Sequence, residues 1–218
     1  MKNKFAFVLL GISMLVAFAC SKEKQEETTE AKPVIKLEEP VIPSAKFASF
    51  VNGFGAALPP AVYDHHWLES FLDNNKVREI SPKVCEDFIH GNEIWNHGFD
   101  KQAKKRLAAD KPYYYIGQIA DTGKYIMLIF TDLQEKATET YLCTYTKDGK
   151  FISGIVLQAD YVNTQDASAP LASKRICRIP ANSKPTLIIE ETYQNQGTKA
   201  SVYSISRDGI IQPEQHSS

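Results

Sequence analysis

The stretch that decides the fold is Lys124-Tyr125-Ile126-Met127-Leu128-Ile129-Phe130-Thr131. Successive side chains of a strand point to opposite faces, so Ile126, Leu128 and Phe130 fall on one side and Tyr125, Met127 and Ile129 on the other. Both faces are apolar. A strand of this kind is central and covered twice, because one face left to water would carry polar residues. Outward from it, segments rich in Tyr, Ile, Val and Thr recur at residues 113–120, 138–146, 150–160, 173–180, 185–193 and 199–206. Between them, Asp121-Thr122-Gly123-Lys124, Lys147-Asp148-Gly149-Lys150, Asn195-Gln196-Gly197-Thr198 and Arg207-Asp208-Gly209 place glycine where a tight hairpin needs positive φ. Strands joined by short loops run antiparallel, so residues 112–212 are expected to form an antiparallel β-meander of about seven or eight strands. Its later part looks wetter: Lys174, Ile176 and Arg178 alternate against Arg175, Cys177 and Ile179.

Upstream, residues 45–111 read as an N-terminal helical cap over one face of that sheet, which makes the class α+β. Phe47, Phe50, Val51 and Phe54 recur at helical steps until Gly53 and Gly55 weaken the pattern, and Leu58-Pro59-Pro60 stops it. Asp64 caps a second helix with the stripe Trp67, Leu68, Phe71 and Leu72, which ends in Asp73-Asn74-Asn75. Ser81-Pro82 opens a third, with Val84, Cys85, Phe88 and Ile89 on one face. A fourth is expected from Asp100 to Ala109. Residues 20–44 are polar and interrupted by Pro33, Pro40 and Pro43, the composition of a tether, and residues 213–218 read as a disordered tail.

Lys2 and Lys4 precede an uncharged run from Phe5 to Ala19, shorter than the about 20 apolar residues of a membrane span, so residues 1–19 read as a signal peptide. The run ends in Ala17-Phe18-Ala19-Cys20. Cleavage at an Ala-x-Ala site would release a soluble periplasmic protein, whereas a cysteine directly after the cut is what diacylglyceryl transfer requires. This segment resembles the lipobox of bacterial lipoproteins, although Ala17 and Phe18 depart from the usual aliphatic residue followed by a small one. Ser21-Lys22-Glu23-Lys24-Gln25-Glu26-Glu27 is similar to the charged export tether of Bacteroidota surface lipoproteins. The resemblance implies lipid, palmitate included, on Cys20 and a place in the cell envelope at the outer membrane, with the leaflet left open. Further on, Leu58-Pro59, the Tyr-rich first strand and the hairpin from Tyr141 to Lys150 resemble uncharacterised Bacteroidota-type cell-envelope lipoproteins with a helical cap on a β-meander. That resemblance spans residues 58–211 and brings no catalytic residues with it.

Removing Lys2 and Lys4 with the leader takes 25 basic and 26 acidic residues to 23 and 26, which suggests no nucleic-acid partner. The basic cluster Lys101, Lys104, Lys105 and Arg106 reads as a solvated helix face. With Cys20 given to lipid, Cys85, Cys143 and Cys177 remain, so at most one intramolecular pair can form. Cys143 and Cys177 both fall in expected strands, where a bridge needs Cα atoms within about 7 Å. No two of the three have zinc-ribbon spacing.

No segment matches a nucleophile elbow, a phosphate-binding Gly-rich loop, a dinucleotide fingerprint or a zinc-protease helix, and no cofactor or metal site is assigned. The one constellation that could hold a metal or move protons is His65, His66, Glu69, His90, Glu93 and His97, which would give a hydrolase or metal-dependent enzyme with its site in the helical cap. Gly91-Asn92 breaks the helix that would align its second half. The ten tyrosines, Tyr113, Tyr114 and Tyr115 among them, suit a surface that grips a protein or stacks on sugars, although tyrosine is also an ordinary strand residue. The reading that results is a membrane-attached envelope lipoprotein serving as a non-catalytic binding or structural module for a protein or glycan ligand.

Overall fold

In the computed structural model, residues 43–55, 57–59, 61–96, 103–134, 137–161, 170–178, 185–193 and 197–214 are described, the backbone alone at 103, 137, 160–161, 170–178 and 193. The leader, Cys20 and the tether up to residue 42 lie outside them, as does the tail from residue 215.

The first helix, α1 (Ala45–Asn52), starts where the Ser44 hydroxyl accepts the Phe47 amide at 3.2 Å, and it buries Phe47 and Phe50. A short strand β1 (Val62–Tyr63) leads into α2 (His65–Asn74), where the Asp64 carboxylate accepts the Trp67 amide at 2.9 Å, the expected cap. In α3 (Pro82–Phe88), Pro82 occupies the first turn and Cys85 is buried. Val84, Phe88 and Ile89 pack with Cys85 in one cluster, as their spacing requires.

The fourth helix, expected over 100–109, is absent among the described residues. Residues 103–109 instead supply β3 (Ala103–Arg106), antiparallel to β2 (Glu93–Asn96), with Trp95 opposite Lys104 and Ile94 opposite Lys105. The basic run follows a period of two: Lys104 and Arg106 are exposed, while Lys105 and Leu107 turn inward. A run of exposed cations on an edge strand also discourages pairing with another chain.

After β3 the chain forms β4 (Tyr114–Asp121), β5 (Tyr125–Asp132), β6 (Ala137–Thr146) and β7 (Phe151–Tyr161), each antiparallel to the next. It then forms β8 (Pro170–Arg178), β9 (Thr186–Tyr193), β10 (Gly197–Ile205) and β11 (Ile211–Pro213), likewise antiparallel in sequence. The meander is therefore two runs, not one. β7 does not pair with β8; a six-stranded sheet has the order β3-β2-β7-β6-β5-β4 and a five-stranded sheet the order β1-β8-β9-β10-β11. The first is mixed, because β2 joins β7 in parallel at Trp95 and Ile155, and the second is antiparallel throughout. Pro213 pairs with Tyr203, so the sheet runs one residue past the expected boundary.

The two-faced apolar pattern of β5 explains this division. All eight of its residues are buried. Ile126, Leu128 and Phe130 face a cluster with Phe47, Phe50, Cys85 and Ile89 of the α1–α3 layer. Tyr125, Met127 and Ile129 face a second cluster with Leu187, Ile189, Tyr203 and Ile205 of the antiparallel sheet. A single helical layer covers only one face, so the chain folds its later strands back over the other. The expectation that the helices share one face is corrected here too: Leu68 of α2 and Tyr63 of β1 belong to the second cluster.

At the β6–β7 turn, Gly149 has φ 95°, and a Cβ there would lie 2.7 Å from the Phe47 ring. The turn chemistry and the packing of α1 thus demand the same residue.

Candidate functional site

The candidate histidines and carboxylates do not gather. His65 and Glu69 pair on the exposed side of α2 at 2.9 Å, and His66 beside them faces water. His90 follows α3, in the layer on the opposite face of β5 from the α2 cluster. Glu93 is exposed and accepts from Arg106 at 3.4 Å, and His97 lies outside the described residues. Among the described residues no three metal-ligating side chains meet.

The cysteines are equally uncooperative. Cys143 is a free thiol buried under the helical layer, whereas β8, which carries Cys177, belongs to the sheet covering the other face. The bridge considered between them is therefore not made. Burial pushes the Cys143 thiol far above its ordinary range. Cys85 comes closest to a catalytic setting, in a cleft of about 220 Å³ lined also by Glu79, His90, Asp110 and Lys111. Burial first, and the charge of Glu79 second, push its thiol up to about 11, and its sulfur reaches the Ile80 carbonyl at 3.5 Å. A thiol held protonated in this way is a poor nucleophile. The Nε2 of His90 is buried with no hydrogen-bond partner among the described residues.

A charged network that the sequence did not announce lies where β5 ends and β6 begins. Asp132 is fully buried and Glu139 nearly so. The Tyr141 hydroxyl lies 2.9 Å from Asp132 Oδ2 and 2.7 Å from Glu139 Oε2, placing one proton between two carboxylates. Lys111 donates to Asp132 at 2.9 Å, Lys105 to Glu139, and the Glu139 amide to Asp132 Oδ1 at 2.6 Å. Burial would raise the Glu139 carboxyl, but Lys105, Tyr141 and Lys111 outweigh it and hold it below its usual range. Burial, then the charges of Glu139 and Asp132, holds the Tyr141 phenol far above its ordinary value. Two cations answer two anions in a site that is nearly dry, so the network pins β3, β5, β6 and the approach to β4.

A second cleft, of about 290 Å³, opens beside β4 between the ends of α1 and α2. Phe54, Leu58, Phe71, Val77 and Ile116 line it, with Tyr115 on one wall and Asn75, Lys76 and Arg78 toward the rim. The Arg78 guanidinium lies over the Tyr115 ring, 4.9 Å from its centroid, while the Arg78 carbonyl accepts the Tyr115 amide at 3.0 Å. Neither Lys76 nor Arg78 forms an ion pair among the described residues. Of the tyrosine surface expected from composition, Tyr63, Tyr113, Tyr125, Tyr141, Tyr145 and Tyr203 are buried, and Tyr114 and Tyr115 are half-buried.

Compared with protein-family models, with curated proteins and with solved structures, the chain finds no match. No described helix is long and apolar enough to cross a membrane.

Proposed function

We propose that the chain is a non-catalytic binding module of the bacterial cell envelope, lipid-anchored through Cys20 at the outer membrane, with a protein or glycan ligand taken in the cleft beside β4. The basic start, the short apolar run, the Ala17-Phe18-Ala19-Cys20 junction and the charged residues after it support the anchor. The observation that carries the binding role is the cleft itself. Its floor is aromatic and aliphatic, two unpaired cations stand at its rim, and among the described residues no carboxylate, imidazole or thiol lines it. Specific ligand sites share this make-up of apolar walls with a few placed polar groups.

The anchor is tested by palmitate labelling and fractionation of cells making the natural chain or Cys20→Ala. Label and envelope association confined to the natural chain is the expected result. An unlabelled soluble form from both rejects the anchor. The binding role is tested by a photo-cross-linking residue placed at Lys76 and, as control, at the exposed Arg207 turn. Discrete adducts from position 76 alone are expected. An identical pattern from both positions means the cleft has no ligand and the domain is structural.

A further inference from the structure

We infer that the cleft beside β4 takes a carboxylate carried on an apolar side chain or ring, the chemistry shared by the C-terminal residue of a peptide and a free aromatic or branched acid; this rests on the binding role proposed above. Four observations lead there.

Size comes first. At about 290 Å³ the cleft stands at the low end of the roughly 300–1,000 Å³ range of small-molecule sites, room for one ring or branched chain and not for an extended polymer. Phe54, Leu58, Phe71 and Ile116 offer that group an apolar bed.

The walls are shaped by two glycines. A Cβ on Gly53 would come 2.3 Å from the Tyr115 ring, and one on Gly117 would come 2.5 Å from Leu58. Only without those methyl groups do the ring and the leucine sit where they bound the cavity.

Charge complementarity supplies the anion. The stack on Tyr115 and the backbone bond to its amide fix where the Arg78 guanidinium lies, and a planar guanidinium offers paired donors to a carboxylate. Lys76 adds a second positive charge at the same rim, and among the described residues no acidic side chain lines the cleft to offset either.

A neutral sugar is poorly served by this lining. Its hydroxyls need acceptors as well as donors, and among the described residues the lining offers only two uncharged polar side chains, Tyr115 and Asn75, the latter already donating its amide to the Phe71 carbonyl at 2.8 Å. The cleft thus favours an anion beside an apolar group over a polyol.

The test uses the full chain in detergent and follows Trp67 fluorescence, because the Trp67 ring stacks on Phe71 with centroids 5.3 Å apart. N-acetyl-phenylalanine is expected to bind at least about tenfold more tightly than its neutral amide, since only the acid offers the Arg78 guanidinium a negative charge and two acceptor oxygens. Arg78→Gln should bring the acid-to-amide ratio close to one, Arg78→Lys should keep part of it, and Lys76→Gln should lower it less. N-acetyl-Ala-Ala-Phe binding more tightly than 3-phenylpropionate would identify a peptide terminus as the source, and the reverse order a free acid. Equal binding of acid and amide to the natural chain overturns the inference. So does a failure of every probe to bind while the Lys76 cross-link persists, an outcome that leaves the binding role standing. If the cross-link is missing as well, both fall.

Discussion

Two regions of this molecule set a cation against a tyrosine, and they end differently. Where β5 meets β6, Lys105 lies over the Tyr141 ring with Lys111 nearby, and Asp132 and Glu139 answer both charges. Beside β4, Arg78 lies over Tyr115, and no carboxylate answers it among the described residues. The first region is closed and the second is open to water. A charge taken out of water must find its counter-charge within the protein, whereas a surface cation remains solvated until something else arrives. Satisfied polarity therefore marks the strut, and unanswered polarity marks the candidate site.

The hardest way to break the comparison is at Asp132, which is 0% exposed and takes bonds from Lys111, Tyr141 and the Glu139 amide. Asp132→Ala takes from Lys111 its 2.9 Å acceptor and from the Glu139 amide its side-chain acceptor, and leaves the Tyr141 hydroxyl with Glu139 alone. A loss of about 3–5 kcal/mol in urea unfolding is expected, the usual cost of removing one partner from a buried pair. A loss under 1 kcal/mol would mean that the network is not a strut at all.

Glu139 sharpens the same point through pH. Its carboxyl is held below its ordinary value of 4.5, so the folded state favours the charged form more than the unfolded state does. The stability it adds is complete above about pH 4.5 and is lost as pH falls through the lower folded-state value. Glu139→Gln should cost about 1–3 kcal/mol at neutral pH, because Lys105 then lacks its counter-charge. The gap between natural chain and variant should close as the solution is acidified. A gap that stays constant down to pH 2 would assign the loss to shape alone.

How much of this was legible in the sequence depends on the range over which each feature is determined. Local signals read well. The Asp64 cap, the Ser81-Pro82 start and the glycines of the turns at 123, 149, 197 and 209, all at positive φ, follow from chemistry within a few residues. The apolar doubling of β5 also announced two covering layers. What those layers were did not follow, because nothing near Thr186 or Ile205 says which sheet a strand will join. Lys104-Lys105-Arg106 misled because three cations in a row show neither period clearly, and only the pairing of Lys105 with Glu139 reveals which one turns inward. The network was invisible for the same reason: Lys105, Lys111, Asp132 and Glu139 become neighbours only when β3 and the approach to β4 reach the β5–β6 end. At the cleft, Tyr115 stood out as part of a tyrosine run, but Arg78 in the Lys76-Val77-Arg78 segment carried no signal until the fold laid it on that ring.

The smallest expected effect is the most telling. Lys76 and Arg78 are exposed, and an exposed cation–π contact is worth about 0.5–1 kcal/mol. Lys76→Gln should leave stability within about 0.5 kcal/mol of the natural chain, and Arg78→Gln should lower it by no more than about 1 kcal/mol, both read from urea midpoints at constant slope. Near-neutrality matters because a residue kept for the fold should cost the fold when removed. If Arg78→Gln destabilised the protein as severely as Asp132→Ala, the guanidinium would be bracing β4 against the 76–80 segment, and the two regions would be struts of one kind. If it leaves the fold untouched while abolishing discrimination between acid and amide, the cation has no structural duty that accounts for its position, and recognition is what remains to account for it.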